Sequence, residues 1–440
     1  MLLASSLINP RRLLYLLRGS LLLLLLWMFW LEGASAAVCV WHANTTSVEC
    51  STSSSDRQSG SVSSGITNED LFQEAKNLKL ICDPSARGLK SLRDILDTTL
   101  EQYESTPWQE GLDSLEVVDC PLDILERLDL LYIDSSVTTH LSSLKITSSQ
   151  PATKEFVIQA RAFDDGPRTL KSLDLSSNGL ASLYSPEDAL FSLCPLGKSL
   201  QKLNLSSNQI LELSDLGLWN HSKSSRCHME AMTNLILSNN SLERVPRAAF
   251  VLANNLEDLD LSQNSINTLD PGALTRLGSL KVLSLAHNQL SVIPKDLLDP
   301  KNALRELYLN NNSLAHLPES LFERLTSLVV LNLSQNALVS SEHSPFKALK
   351  SLVALDLSHN RLESVSGDFF VGLSSLQVLT VAHNRLLSVE ASAFASVPLL
   401  HALVLSHNEL EGGLAPKLFD GLHRLSSLAI DHNRIKGLNR

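Results

Sequence analysis

The sequence predicts an α/β solenoid with a parallel sheet on its concave side, built from one short unit repeated about fourteen times. Three observations predict it. Asn240, Asn264, Asn288, Asn312, Asn336, Asn360, Asn384 and Asn408 follow one another at a constant spacing of 24. Each closes the same phrase, apolar-x-apolar-x-x-Asn-x-apolar, as in LDLSQNSI, LSLAHNQL, LNLSQNAL and LDLSHNRL. At a fixed offset after each Asn stands a second column, Phe250, Leu274, Leu298, Phe322, Phe346, Phe370 and Phe394, followed by Phe419 one position late. Leu on alternate positions with Asn at a fixed offset and a period of this length is the leucine-rich-repeat signature, and it implies a horseshoe.

The amino terminus, residues 1–36, reads as a leader. Arg11, Arg12 and Arg18 precede an apolar run from Leu21 to Leu31, and EGASAAVC follows with Ala34 and Ala36 flanking Ser35. That order of charge, apolar run and small residues is a secretory signal peptide cut after Ala36. A signal anchor is the rival reading, although the run is well short of the ~20 residues a spanning helix needs. No later segment is apolar enough to span.

Residues 37–82 read as a cap with a Ser-rich loop. Cys39 and Cys50 bracket a short hairpin, where the first core layer of a repeat array needs covering. The stretch STSSSDRQSGSVSSG, from Ser51 to Gly65, is a flexible loop by composition.

Residues 83–239 are irregular repeats with cysteine-bearing insertions. Asn178 and Asn208 are clear slots but lie 30 apart, and Asn240 follows Asn208 by 32. These expanded turns carry Cys194 and Cys227, placed to meet across an insertion. Earlier, LEVVDCPL puts Cys120 in the Asn slot, LKITSSQP offers Ser149, and one further turn lies near Asp83. Cys82 and Cys120 are then left as neighbours on adjacent turns, while Cys120 has a second reading as a buried thiol filling the slot.

Residues 240–440 are the regular repeats. Within the phrase, Leu side chains point inward and the residues between them outward. Asn follows the strand, where its amide can satisfy buried backbone groups that would otherwise cost ~1–3 kcal/mol each. The ladder is therefore scaffold. The last slot, Asn433, falls 25 after Asn408, which matches a single insertion near Gly412 and Gly413.

Composition excludes several functions. Lys plus Arg total 36 against 47 Asp plus Glu, a net charge of −11, which argues against nucleic acid as a partner. There is no Gly-x-Ser-x-Gly, His-Glu-x-x-His, phosphate-binding glycine loop or isolated carboxylate pair, so no enzyme is predicted. No Cys-x-x-Cys or His-x₃-His spacing occurs, so neither metal nor other cofactor is expected. Sequons at Asn44, Asn204, Asn220, Asn239, Asn311 and Asn332 suit an exported glycoprotein. Asn204 and Asn332 sit between inward leucines, so glycans there would shield part of the outward face.

Binding residues are sought among the outward strand positions. Asp174, Lys202, Asp258, Asp260, Glu306, Tyr308 and Asp356 make the earlier part acidic and polar, and Val330, Ala354, Val378, Ala402, Val404 and Ala429 make the later part small and apolar. An exposed apolar field marks a contact surface, although Val is also simply a good strand former. His287, His359, His383, His407 and His432 each precede a slot Asn. Stacked imidazoles could sense acidification, and the plainer reading is a solvated position that tolerates His.

The insertion pattern carries a resemblance. FSLCPLGKSLQKLNLSSNQI, an insertion ending SSRC before LILSNNSL, and LTSLVVLNLSQNALVSSEHSPFKALKSLVALDLSHNRL are similar to the amino-terminal ectodomain of arthropod Toll receptors of the long-ectodomain type. CVWHANTTSVEC, LKLICDP and LEVVDCPL take the places of that family's cap and first irregular repeats. The resemblance implies the ligand-binding region of a cell-surface receptor in innate immune or developmental signalling. It also implies an extracellular protein ligand, such as a cystine-knot cytokine of the Spätzle type, with receptor dimerisation. Toll receptors continue into a cysteine-capped junction, a membrane span and a signalling domain, so a chain stopping at Arg440 is expected to be a piece of a longer receptor. The alternative is a secreted or tethered adhesion or recognition protein, or a decoy, without signalling of its own.

Overall fold

Alternating Leu residues and the slot Asn build every repeat of the structure, a computed structural model. It describes residues 24–26, 38–42, 47–51, 76–82, 112–120, 124–125, 141–148, 157–158, 162–163, 168–181, 193–216, 228–298, 303–318, 320–341 and 344–437. Asn44, Asp83, Ser149, Asn220, Cys227 and nearly all of the leader and the Ser-rich loop lie outside these residues. Two compact units result, one of residues 1–209 with 225–232 and the other of residues 210–224 with 233–440.

The first unit starts at an antiparallel hairpin of Val38–His42 and Ser47–Ser51, in which Cys39 stands directly opposite Cys50. Leu24–Leu26, from the apolar run of the expected leader, pairs antiparallel with Val38–Val40. Ser47–Ser51 then pairs in parallel with Asn77–Ile81. Parallel pairing continues through Ser114–Val118, Ser143–Thr147, Ser172–Asp174 and Lys202–Asn204. Leu78, Leu115, Leu144, Leu173 and Leu203 are all buried, and their neighbours along the strands are not, as a period-two pattern requires. Cys82 and Cys120 form a disulfide with Cα atoms 4.6 Å apart, so the buried-thiol reading of Cys120 is set aside. Cys82 directly follows Ile81, and Cys120 stands two residues after Val118, the partner of Ile81, so strand pairing brings the two cysteines within bonding range. Cys194 is also disulfide-bonded.

In the second unit, nine strands pair in parallel among the described residues: Asn234–Ile236, Asp258–Asp260, Val282–Ser284, Glu306–Tyr308, Val330–Asn332, Ala354–Asp356, Val378–Thr380, Ala402–Val404 and Ser427–Ala429. Each pairs with the equivalent position one repeat further on, so Leu259 faces Leu283 and Leu283 faces Leu307; the final step is one longer, with Leu403 facing Leu428. The extra residue is absorbed in the return limb, where the pairing of Glu411–Gly413 with Arg434–Gly437 shifts register between Gly412 and Gly413. Gly412 takes φ +76° there, a left-handed conformation that costs glycine little.

The return limbs are turns and short parallel pairs such as Arg244–Val245 with Thr268–Leu269 and Ser364–Val365 with Ser388–Val389. Helix among the described residues is limited to 3₁₀ turns at Cys194–Leu196 and Leu213–Leu216. So short a period leaves too little chain for an α-helix opposite the strand. The second column packs behind the limbs: Phe322 stacks on Phe346 at 6.0 Å, Phe370 on Phe394 at 5.9 Å and Phe394 on Phe419 at 6.5 Å. Phe369 inserts edge-on between Phe346 and Phe370, at 5.8 Å and 5.1 Å, the T-shaped geometry that the ring quadrupole favours.

The Asn ladder closes the strand ends. Asn288 donates through Nδ2 to the carbonyls of Leu261, Leu285 and Ala286 at 3.0, 3.1 and 3.2 Å, and its Oδ1 accepts from the Ile266 N–H at 3.0 Å. One side chain thus ties its own turn to the preceding one. The same set of bonds recurs at Asn264, Asn312, Asn336, Asn360, Asn384, Asn408 and Asn433. Asn240 keeps the bonds within its own turn and accepts from the Ile210 N–H. In the first unit Asn208 donates to Leu175 and accepts from the N–H groups of Asn178 and Leu180.

Candidate recognition surface

Between inward leucines every strand offers solvent two or three side chains, and their chemistry changes along the second unit. At the start the Asn234 amide donates to the Asp258 carboxylate, and Lys281 forms an ion pair with Glu257 at 2.6 Å. Farther on, Val378 is 41% exposed and Val330, Ala354, Ala402 and Val404 are half-buried, with Asp356 among them. The apolar positions therefore share one face, with Asp356 within the field and Glu306 next to Val330 at its border.

Several acidic positions also serve the backbone. Asp260 and Asp356 each accept from the N–H of the serine two positions on, Ser262 and Ser358, at 2.9 Å. Asp174 does the same for Ser176 at 3.0 Å in the first unit. Asn204 and Asn332 use their Oδ1 in this way too, with Ser206 and Ser334. These side chains hold the bend at the strand end as well as displaying charge, a dual role that an outward-facing list of residues does not reveal. Lys202, exposed beside Asn204, is the cation among the predicted contact residues.

Glu306 and Tyr308 form a unit of their own. The Tyr308 hydroxyl donates to Glu306 Oε2 at 2.7 Å. That bond to a carboxylate, followed by partial burial, pushes the phenol up to about 12. The bond fixes the tyrosine ring against the carboxylate, so the two side chains face a partner as one polar unit.

At the edge of the sheet, the residue before each slot Asn adopts a left-handed conformation. Ser177, Ser207, Asn239, Gln263, His287, Asn311, Gln335, His359, His383, His407 and His432 all have φ between 53° and 60°. Four of the histidines stack face to face: His359 on His383 at 4.2 Å, His383 on His407 at 4.1 Å, and His407 on His432 at 4.1 Å. Partial desolvation, and then the neighbouring imidazoles, hold His383 below the usual histidine range. His287 sits apart and bonds through Nδ1 to the Asn311 amide at 2.6 Å, so a sequon nitrogen is already engaged there. Asp431 joins the end of the column, bonded to Ser406 Oγ and, at 2.6 Å, to His432 Nδ1; Ser406 and then His432 hold its carboxyl at about 2. His407, Asp431 and His432 thus share one corner, a grouping that linear metal-ligand spacings do not detect because strand pairing across a whole repeat creates it. A repeat-aligned column of potential ligands would have revealed it in the sequence.

Models of leucine-rich repeats match residues 166–182, 199–221, 230–290, 302–344, 338–386 and 374–435. No curated protein matches. Among solved structures, the chain is similar to the Toll–Spätzle complex from Drosophila, described as a molecular hub in development and innate immunity, at 19% identity and TM-score 0.58. That match covers 92% of this chain and 57% of the Toll chain, so the protein spans little more than half of that relative. It is similar also to the APL1 leucine-rich repeat domain, at 23% identity and TM-score 0.55, over 87% of this chain and 81% of that one. A third, the TLR13–ssRNA13 complex, matches at 20% identity and TM-score 0.55, over 86% of this chain and 51% of the other. At these identities the likeness establishes the shared fold. No helix among the described residues is long and apolar enough to cross a membrane.

Proposed function

The chain is a leucine-rich-repeat protein, and from that premise we propose that it is the extracellular ligand-binding region of a Toll-like receptor. Its ligand is a protein: the Toll structure is a complex with Spätzle, and the sequence resemblance implies a partner of that kind, a cystine-knot cytokine. The observation that carries this reading is the face of the nine-strand array, an apolar field around Val378 that contains Asp356, with Glu306 at its border and Asp258 two strands beyond. Eight strand spacings give that face a length of about 38 Å. Such a surface is wide and shallow, which suits a folded partner better than a small molecule. The disulfide between Cys82 and Cys120 and the sequons support an exported protein. The carboxylates favour a partner with basic side chains at its rim, and the valines favour an apolar centre.

The test is binding of a Spätzle-type dimer to the immobilised chain. Asp258→Arg and Val378→Arg are expected to weaken it at least tenfold each, whereas Arg276→Glu, on a return limb, leaves it unchanged. Undiminished binding by both face variants would overturn the assignment of the surface. Absence of binding by the wild-type chain would remove the ligand class. A second reading is a secreted or tethered recognition protein without signalling of its own; the APL1 leucine-rich repeat domain shares this fold. Signalling by a cell line expressing the full transcript, on ligand addition, distinguishes the two.

A further inference from the structure

We propose that the end of the histidine column is a binding site for a divalent transition cation, with Zn²⁺ as the natural fit, formed by His407, Asp431 and His432. The inference is independent of the receptor reading, since it stands on geometry within two adjacent repeats. Parallel pairing of Val404 with Ala429 sets the two strand ends side by side. The slot residues Asn408 and Asn433 then turn both chains in the same way, so His407 and His432, at φ +56° and +53°, project from equivalent points and stack at 4.1 Å. The backbone of both turns is held by the ladder: Asn433 accepts from the Leu410 N–H at 3.2 Å and donates to the Leu405 carbonyl at 3.0 Å. The ligands therefore grow from a braced edge.

Asp431 makes this pair of repeats different from the rest. Its position, two before the slot Asn, is Ser, Ala or Asn in every preceding regular repeat, from Ser238 through Ala286 and Asn310 to Ser406. Only here does a carboxylate enter the column. Ser406 Oγ donates to one of its oxygens, which orients the other toward His432. One donor atom from each of His407, Asp431 and His432 lies within 4.8 Å of the others. Zn²⁺ binds imidazole and carboxylate at ~2.0–2.2 Å and so needs donors roughly 3.3 Å apart. The side chains are all exposed, so χ rotations that unstack the two rings are free to bring the donors to that distance and turn their lone pairs toward one ion.

The donor set selects the metal. Two imidazoles and one carboxylate suit Zn²⁺, Cu²⁺ or Ni²⁺, whereas Ca²⁺ and Mg²⁺ require mostly oxygen ligands. In the free protein His432 Nδ1 hydrogen-bonds to Asp431; the cation replaces that contact, and the neutral imidazole then carries its proton on Nε2. The fourth coordination position opens to water, as in sites that retain an exchangeable ligand. The remaining imidazole that touches the group, His383, stacks on His407 at 4.1 Å and acts as a flank.

Calorimetric titration of the full chain with ZnCl₂, and separately with CaCl₂, tests the site. One Zn²⁺ per chain is expected with micromolar affinity, with no response to Ca²⁺. His407→Ala and Asp431→Asn should each weaken Zn²⁺ binding at least tenfold, while His359→Ala, at the far end of the same column, should leave it within twofold. A folded Asp431→Asn protein, verified by an unchanged circular dichroism spectrum, guards against loss through unfolding; if it fails to fold, His432→Gln with the same spectrum replaces it. Co²⁺ titration adds a spectroscopic reading, visible d–d bands that need both His407 and His432. Equal Zn²⁺ affinity in wild type and His407→Ala, equal weakening by His359→Ala, or no binding at all would each overturn the proposal.

Discussion

A single amide decides whether each turn keeps its backbone satisfied. Asn312 donates to Leu285, Leu309 and Asn310 and accepts from the Leu290 N–H, whereas its neighbour Asn311 is exposed and bonds to His287 alone among side chains. Asn312→Leu should therefore destabilise the second unit by ~1–3 kcal/mol through unpaired backbone groups. Asn311→Gln should remove the sequon and change the denaturation midpoint little; equal midpoints for wild type and Asn312→Leu would refute the ladder's energetic role. At the same scale, Glu306→Gln should bring the Tyr308 phenol down from about 12 toward its ordinary value near 10. Ultraviolet titration against a Tyr308→Phe reference measures that shift. The raised phenol stabilises the fold while it is protonated, so this contribution is complete below the ordinary tyrosine range and disappears as pH rises through the folded value.

At the scale of the element, the return limbs depend on side chains that link one turn to the next. Arg244 grips Asp270 through Nε and Nη2 at 2.9 and 2.8 Å, and Asp270 also accepts from the Arg247 N–H. The Arg244 bond holds the Asp270 carboxyl below its usual range. A depressed carboxylate stabilises above the ordinary Asp range and loses that contribution as pH falls through the folded value. Asp270→Asn should accordingly lower the melting temperature at pH 7 and make less difference at acid pH, where the wild-type carboxyl takes up its proton. Melting curves at the two pH values check this; an equal deficit at both would mean the amide perturbs packing instead. The strands themselves, the Phe column and the slot Asn residues were legible because period, Leu alternation and Asn offset all report the same contact. The Arg244 grip was not, because its partner Asp270 stands two positions past the repeat-equivalent residue Thr268 and the pair carries no local signature.

At the scale of the whole molecule, two units with different regularity share one repeat grammar. The first is pinned by Cys82–Cys120, across a sequence separation of 38. A loop of that size makes removal of the bond worth ~2–4 kcal/mol. Cys120→Ser should therefore speed hydrogen exchange at Asn77–Ile81 and Ser114–Val118 and leave the strands from Asp258 to Val404 protected as before. Loss of protection throughout would show that the two units unfold as one. Of the recognition surface, the identity of the outward residues was readable from Leu alternation. The backbone duty of Asp174, Asp260 and Asp356 was not, since the N–H each one serves becomes available only after the strand bends.

By itself the sequence determined the repeat, the inward and outward faces and the coupling of neighbouring turns, because a strict period forces every copy into the same local conformation. The tertiary structure decided which side chains from different copies touch. Parallel pairing converts positions a whole repeat apart into nearest neighbours, and this brings Cys82 to Cys120, builds the four-ring histidine stack and sets Asp431 beside His407 and His432. Linear motifs describe groups that are close along the chain. In a solenoid the chemistry lies across the chain, at a distance set by strand spacing.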